Sequence, residues 1–228
     1  MLRYVRCAMN ESIKKCTGAF IFLHGSGGTG EDLQGDINYI SNGVFSFPHV
    51  KVIFPTAPLM PYTLGGGYPV NVWFDRVSLD PDGSECLSSI DAMAEQLKNI
   101  VEAEVSSGIP RNRIVVGGFS MGASMALHLG LRHLPDIAGI VSLSTFLYNN
   151  SEVYKKLEAK DQIPPVLFCH GDGDELIDFK WGQNMYKRLT QLGVVGNFHK
   201  MTNLDHSINA TELRLVRSWV TERIPLID

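Results

Sequence analysis

A serine stands at the centre of a glycine-bracketed pentapeptide, GFSMG, at residues 118–122. A β-branched run precedes this G-x-S-x-G motif and an Ala- and Leu-rich segment follows it, which predicts a strand, a sharp turn and a helix. Such a turn raises the serine hydroxyl above a sheet, strains the backbone and requires small residues on both sides. The pattern therefore predicts that Ser120 is a nucleophile; a structural serine in a tight turn is the alternative.

A nucleophilic serine needs a histidine base, and the base needs a carboxylate that orients it. In the fold that carries a G-x-S-x-G turn, the acid and then the histidine follow the serine along the chain. His128 and His133 belong to the helix that leaves the turn, and His199 lies inside a strand. His206 follows that last strand in the polar loop NLDHSINA, so the sequence predicts His206 as the base.

The acid is expected where the preceding strand ends, in the stretch PPVLFCHGDGDELID. The candidates there are Asp172, Asp174, Glu175 and Asp178. The loop residues Asp172 and Asp174 are favoured over Asp178, which is typical of a helix N-cap. The residues alone do not separate Asp172 from Asp174.

A second glycine-rich stretch, FIFLHGSGGTGEDL at residues 20–33, fits two functions. Its glycines have the G-x-G-x-x-G spacing of a dinucleotide-binding turn, and its His-Gly-Ser segment also fits a loop that binds an oxyanion. A dinucleotide site requires an acidic residue at the end of the next strand, about 20 residues further on, but VKVIFPTAP has none there. A phosphate-binding loop requires Gly-Lys-Ser/Thr, and no lysine follows the glycines. The sequence thus disfavours a nicotinamide oxidoreductase and favours an oxyanion loop.

These motifs must be positioned by the elements between them, where short apolar runs alternate with longer amphipathic segments. Runs rich in Val, Ile and Phe predict buried strands at residues 19–23, 50–54, 113–119, 137–143, 165–169 and 194–201. Apolar residues at helical spacing predict helices at residues 87–107, 123–134, 179–192 and 211–224. Residues 55–84, with five prolines and three consecutive glycines, are predicted to be irregular. The alternation predicts an α/β protein with a mainly parallel central sheet and helices on both faces.

The composition, 44% hydrophobic and 19% charged, predicts one folded domain over residues 1–228. A net charge of −4 with scattered basic residues gives no nucleic-acid footprint. No apolar run approaches the roughly 18 residues of a membrane span, so no stable membrane insertion is expected. The four cysteines form no C-x-x-C pair. They predict free thiols in the cytoplasm, with Cys7 open to acylation, and no metal or other cofactor.

Six segments along the chain, from about Phe20 to the end, resemble the acyl-protein thioesterase / lysophospholipase family of α/β-hydrolases: FLHGSGGTG, FPTAP, VWFD, SSGIPRNRI, GGFSMGAS and HGDGDEL. The resemblance implies an α/β-hydrolase fold in a single compact domain without a large lid domain. It places the acid on Asp174, the last residue of H-G-x-x-D, and leaves Asp172 as a turn residue. It also implies an oxyanion hole built from the backbone N–H groups of Ser26 and Met121.

The resemblance implies a serine hydrolase of acyl esters or thioesters, with an acylated protein or a small acyl ester as substrate. A catalytically weak binding protein with the same fold is the rival. Met121 and Ala123 replace the glutamine and glycine typical of the family, and the loop LGGGYPVNVWFD replaces a more apolar roof over the acyl chain. The altered roof predicts a preference for short acyl chains. Trp73 and Phe74 are candidates for the acyl pocket, with core packing as an equal alternative. A monomer or weak dimer is expected.

Overall fold

Nine strands and six helices occur in the computed structural model, which describes residues 2–6, 16–158 and 162–227. The strands are β1 (Arg3–Arg6), β2 (Gly18–Leu23), β3 (Val50–Thr56), β4 (Leu59–Pro61), β5 (Pro69–Asn71), β6 (Ile114–Phe119), β7 (Gly139–Leu143), β8 (Val166–Gly171) and β9 (Gly196–Met201). The helices are α1 (Gly30–Ile40), α2 (Leu87–Ser106), α3 (Met121–His128), α4 (Glu152–Leu157), α5 (Phe179–Gln191) and α6 (Ala210–Arg223). Cys7 lies outside the described residues.

Seven strands form one sheet in the order β1-β3-β2-β6-β7-β8-β9. β1 runs antiparallel to β3, with Arg3 opposite Thr56, and every other neighbouring pair in this sheet is parallel. The carboxyl ends of the parallel strands therefore meet at one edge, where ligands bind in open α/β sheets. β4 and β5 pair separately as an antiparallel hairpin, with Leu59 opposite Asn71.

The central strands are apolar throughout because both of their faces are covered. Along β2, Ala19, Ile21 and Leu23 belong to one buried cluster, and the alternating Phe20 and Phe22 belong to the other. This two-residue period follows from the pleat of a strand. Helices α2, α3, α4 and α5 contribute to the first cluster, whereas α1 and α6 contribute to the second. Burial on both faces explains the continuous apolar runs seen in the sequence.

The six strands predicted from the sequence are confirmed as β2, β3, β6, β7, β8 and β9, with ends that differ by at most two residues. The four predicted helices are also present. The one predicted at 123–134 begins at Met121, directly after the serine, and continues from Leu129 to His133 as a π-helical turn. β1, α1, α4 and the β4–β5 hairpin were not predicted. The hairpin lies inside the stretch expected to be irregular, because its three-residue strands are too short to show alternation.

The remaining expectations about the chain concern membranes and thiols. Within the three described segments, no helix combines the length and the apolar character that crossing a bilayer requires. Among the described cysteines, Cys86 and Cys169 carry free thiols. Burial raises the pKa of the Cys169 thiol well above its ordinary value, and the charge of Glu212 adds to that effect.

Candidate active site

Ser120 occupies the one-residue turn between β6 and α3. Its backbone has φ 55° and ψ −121°, a conformation that is rare for residues other than glycine. The turn is tight enough to exclude side chains on both sides. A Cβ on Gly118 would lie 2.3 Å from the carbonyl carbon of Gly122, and one on Gly122 would lie 2.4 Å from the Leu23 oxygen. The sharp, strained turn predicted from G-x-S-x-G is therefore present.

His206 connects Ser120 with Asp174. Its Nε2 lies 3.0 Å from Ser120 Oγ, and its Nδ1 lies 2.7 Å from Asp174 Oδ2. A carboxylate only accepts, so Nδ1–H donates to Asp174 and Nε2 is left to accept from the serine hydroxyl. The Phe119 ring packs against the imidazole, with centroids 4.8 Å apart. The structure thus brings together the three residues predicted as nucleophile, base and acid.

The Asp174 carboxylate is held by four groups at the end of β8. Oδ1 accepts the backbone N–H groups of Leu176 at 3.0 Å and Ile177 at 2.8 Å. Oδ2 lies near His206 and, at 3.3 Å, near His170 Nε2. Burial by itself raises the pKa of Asp174, but hydrogen bonds from His170, His206 and Ile177 outweigh burial and hold the pKa well below its ordinary value. These contacts favour the anionic carboxylate, which lies within hydrogen-bond distance of the His206 imidazole.

Asp172, the other candidate acid, has a different role. Its Oδ1 accepts the Asn203 N–H at 2.6 Å, and its Oδ2 lies 3.1 Å from Lys200 Nζ. Two backbone bonds run beside it, from Asp172 N to the Met201 oxygen and from Gly173 N to the Leu204 oxygen. These contacts join the loop that carries Asp174 to the loop that carries His206.

The other residues weighed from the sequence lie in structural positions. Asp178 accepts the Lys180 N–H at 2.7 Å and caps α5, as predicted. His128 Nε2 pairs with Glu85 at 3.1 Å inside the core. His199 lies within β9.

The oxyanion loop predicted at His24-Gly25-Ser26 follows directly after β2. Burial lowers the pKa of His24, and its neutral ring supports the loop. Nδ1 lies 2.7 Å from the Gly25 oxygen, and Nε2 accepts the Ala57 N–H at 3.0 Å. Trp73 Nε1–H donates to the His24 oxygen at 2.7 Å. The loop is therefore fixed before any substrate binds.

The backbone N–H groups of Ser26 and Met121 have no hydrogen-bond acceptor in the described part of the chain. Met121 is the first residue of α3, where backbone N–H groups have no partner within the helix. The Ser26 hydroxyl reaches the Met121 sulfur at 3.6 Å, so the two predicted donors are neighbours. A cavity of about 320 Å³ lies between α1 and the His206 loop, and Ser26, Phe119 and His206 are among the residues that line it.

Trp73 and Phe74, the candidates for the acyl pocket, are 0% and 2% exposed. The Trp73 ring also packs against His24, with centroids 4.8 Å apart. Their burial favours the core-packing alternative, and a role in substrate binding stays a prediction. In the three described segments, no cluster of His, Cys, Asp or Glu could hold a metal ion.

Two residues near the site were not identified from the sequence. Arg76 is 4% exposed and donates from Nη2 to Ser124 Oγ at 3.3 Å. Tyr62, also buried, lies between Arg76 and the oxyanion loop. No motif marks either residue, because their partners are distant in the chain and meet only through folding.

Comparison with known proteins places this geometry in a family. The family model for phospholipase/carboxylesterase matches residues 6–224. Lysophospholipase-like protein 1 of Mus musculus is 42% identical over 221 residues, which cover 96% of this chain and 92% of that protein. Acyl-protein thioesterase 1 homolog 2 of Dictyostelium discoideum is 30% identical over 211 residues, covering 92% of this chain and 94% of that one.

Solved structures agree with the sequence comparison. The crystal structure of Zea mays acyl-protein thioesterase 2 superposes with a TM-score of 0.84 at 26% identity, covering 97% of this chain and 99% of that one. The sheet order, the turn at Ser120 and the extent of these matches agree with the resemblance seen in the sequence. The chain belongs to the phospholipase/carboxylesterase family of α/β-hydrolases.

Proposed function

We propose that the protein is a serine hydrolase that cleaves acyl thioesters or carboxylic esters through an acyl-Ser120 intermediate. The observation that carries the proposal is the position of His206, 3.0 Å from Ser120 Oγ and 2.7 Å from Asp174 Oδ2. This chain of hydrogen bonds supplies the base and the orienting carboxylate that a serine nucleophile requires.

The proposed reaction has two steps. Ser120 Oγ attacks the acyl carbonyl carbon while His206 Nε2 takes its proton, and Asp174 stabilises the resulting imidazolium. The N–H groups of Ser26 and Met121 donate to the carbonyl oxygen as it becomes negative. His206 then returns the proton to the departing thiolate or alkoxide, leaving acyl-Ser120. Water, deprotonated by the same nitrogen, then attacks the acyl carbon. His206 Nε2 returns that proton to Ser120 Oγ as the carboxylic acid leaves, which regenerates the serine.

The names of the relatives support the substrate class. Two curated relatives are acyl-protein thioesterases, and the proposed substrate is accordingly an acylated protein or a small acyl ester. The loop LGGGYPVNVWFD supports a preference for short acyl chains of roughly two to eight carbons. A buried methylene contributes about 0.8 kcal/mol to binding only where apolar side chains line the channel, and this loop supplies little such lining. In this loop Leu64 and Tyr68 are exposed, and Gly66 and Gly67 have φ values of 73° and 81°.

The finer assignments of location and assembly belong to the same proposal. Free thiols at Cys86 and Cys169 support a reducing compartment such as the cytoplasm. We propose that the chain acts there as a monomer or weak dimer. Cell fractionation tests the compartment, and light scattering of the purified protein tests the oligomeric state.

A fluorophosphonate probe tests the nucleophile. We expect it to label the wild-type protein, and we expect Ser120→Ala to lose both labelling and hydrolysis while keeping the wild-type melting temperature. Ser218→Ala, an exposed serine on α6, is the matched control and should label normally. Activity in the Ser120 variant above a few per cent of wild type would contradict the proposal. A wild-type protein that is folded but neither labelled nor active would favour the catalytically weak binding protein.

An acyl series tests the substrate class. We expect kcat/KM on p-nitrophenyl esters and on matched thioesters to peak at short chains and to fall before palmitate, with each substrate kept below its micelle concentration. A steady rise to the longest soluble chain would show a deep apolar channel and would refute the short-chain preference while leaving the nucleophile unaffected.

A further inference from the structure

Arg76 is a buried charge without a carboxylate in contact. Its side chain is 4% exposed, and no ion pair involves it in the described residues. Nη2 donates to Ser124 Oγ at 3.3 Å, whereas buried Nε has no hydrogen-bond partner among the described residues. An unpaired buried cation costs several kcal/mol, so its retention in this position requires an explanation.

Aromatic rings surround the guanidinium. Its central carbon lies 5.2 Å from the ring centroid of Phe74, 5.0 Å from that of Phe146 and 5.8 Å from that of Tyr148. Burial lowers the pKa of Arg76, while Tyr148, Tyr62 and the more distant charge of Glu85 act in the opposite direction. An arginine stays protonated in such surroundings. The rings therefore stabilise the cation in part, but they do not neutralise it.

The nearest acids are held by other groups. Both oxygens of Asp75 bond to Thr63, at 2.8 Å to its N–H and 2.7 Å to its hydroxyl, and Oδ1 also accepts the backbone N–H of Arg76. Glu85 lies 3.1 Å from His128 and accepts the Glu152 N–H at 3.0 Å. The side-chain charge of Arg76 therefore acts on its surroundings without a contacting counter-ion.

Two residues near Arg76 connect it with the reacting centre, Ser124 and Tyr62. Ser124, which binds the guanidinium, lies one helical turn after Ser120. Its backbone N–H donates to the backbone carbonyl oxygen of Ser120 at 3.2 Å. On the other side is the Tyr62 hydroxyl. Burial raises the pKa of Tyr62, and the charge of Arg76 and a hydrogen bond with Ser26 oppose that rise. Arg76 is thus linked through Ser124 to the helix that begins at Met121, and through Tyr62 to Ser26.

We propose that Arg76 is a positioning residue for the hydrolysis: its buried, unpaired charge stabilises the oxyanion that forms at Ser26 and Met121. The inference rests on the proposed function and names a further group of that site. The substrate carbonyl is neutral and gains little from this charge, whereas the tetrahedral intermediate carries a negative oxygen and gains more. Because the cation is fixed by folding, it requires no reorganisation during the reaction.

The expected loss of kcat follows from the distance between the guanidinium and the developing oxyanion. Ser124 is four residues after Ser120, about 6 Å along the helix axis, which places the guanidinium roughly 10 Å from the developing oxyanion. At that separation and an effective dielectric constant of about 20, loss of one charge lowers kcat by about ten-fold.

The experiment compares variants with and without a positive charge at position 76. Arg76→Met and Arg76→Gln remove the charge, and Arg76→Lys keeps it. Arg132→Met is the matched control: its side chain is 5% exposed and pairs with Asp91 at 2.8 Å, twelve residues beyond Ser120. For each variant we measure kcat and KM on p-nitrophenyl butyrate and on the acetate, the melting temperature, and the affinity of butylboronic acid, which forms a negative tetrahedral adduct with the serine.

We expect both neutral variants to lose about ten-fold in kcat and in boronate affinity, with KM within two-fold of wild type for both esters. Arg76→Lys should stay within about three-fold, and Arg132→Met should lose stability without losing kcat. Unchanged kcat and boronate affinity in a folded neutral variant would overturn the proposal. A loss confined to KM, one that depends on acyl length, or neutral variants that cannot fold would also overturn it. A wild-type protein without Ser120-dependent hydrolysis would instead refute the proposed function.

Discussion

Asp174→Asn should lower kcat/KM by about three to four orders of magnitude, because it reverses the hydrogen bonding of His206. Asp174 Oδ1 accepts two backbone N–H groups, from Leu176 at 3.0 Å and from Ile177 at 2.8 Å. In the variant only the amide oxygen can accept both, so the NH₂ group must replace Oδ2 and donate to His206 Nδ1. Nε2 then carries the hydrogen and faces Ser120 Oγ, 3.0 Å away, as a donor. A base in the wrong tautomer costs about 4–5.5 kcal/mol of transition-state stabilisation.

The assay is the initial rate of p-nitrophenyl butyrate hydrolysis at pH 7.5 or so, with melting temperatures measured alongside. Asp172→Asn is the matched control, since it keeps an acceptor for the Asn203 N–H and loses only an exposed ion pair with Lys200. Such pairs contribute about 0–1 kcal/mol to stability, so its kcat/KM should stay within about three-fold of wild type. More than a tenth of wild-type activity in the Asp174 variant, or an equal loss in the Asp172 variant, would refute the assignment.

Three other substitutions have distinct expected outcomes. His206→Asn should be nearly inactive while His199→Asn keeps most of its kcat/KM; the reverse would move the base. Gly122→Ala should lower the melting temperature by about 5–10 °C, because its Cβ would lie 2.4 Å from a backbone oxygen, whereas Gly35→Ala, with open space around its Cβ, should not. Burial raises the pKa of Glu212 to about 8, and its carboxyl oxygens have no hydrogen-bond partner in the described chain. Since the folded pKa lies above the unfolded value of about 4.3, the contribution of Glu212 to stability is greatest below about pH 4 and is lost as the pH rises through 8. Glu212→Gln should therefore raise the melting temperature by about 5–10 °C at pH 8.5 and much less at pH 5; an equal gain at both values would contradict this account.

The central strands could be predicted because their burial on both faces leaves a direct trace in the sequence. Continuous apolar runs such as AFIFL and IVVGGF have few alternatives to a covered parallel strand. β1 and the β4–β5 hairpin leave no such trace: RYVR alternates over only four residues, and LMP and PVN are three residues each. Helix α1 has a sequence signal, because the N-cap residue Thr29 accepts the backbone N–H of Asp32. Gly30 and Gly35 nevertheless weaken its helical pattern.

The candidate site shows the same division between local and distant information. The turn at Ser120 could be predicted because its constraints fall within five residues. The choice between Asp172 and Asp174 could not be made from local pattern, since it depends on which carboxylate faces His206 across another loop. Arg76 was missed for a related reason. Its partners Ser124 and Phe146 are 48 and 70 residues away, and a lone arginine after VWFD is typical of an exposed loop.

The contacts between the β8 and β9 loops affect how the site responds to thermal motion. Asp172 and Gly173 bond across to Met201, Asn203 and Leu204, and a Cβ on Gly171 would lie 2.1 Å from the Leu204 oxygen. Because of these bonds, we expect the loops that carry Asp174 and His206 to move together, and Ser120 to move with α3. Thermal fluctuation is then expected to change the serine–imidazole separation more than the imidazole–carboxylate separation. Warming should thus impair proton transfer from the nucleophile before it disturbs the orientation of the base.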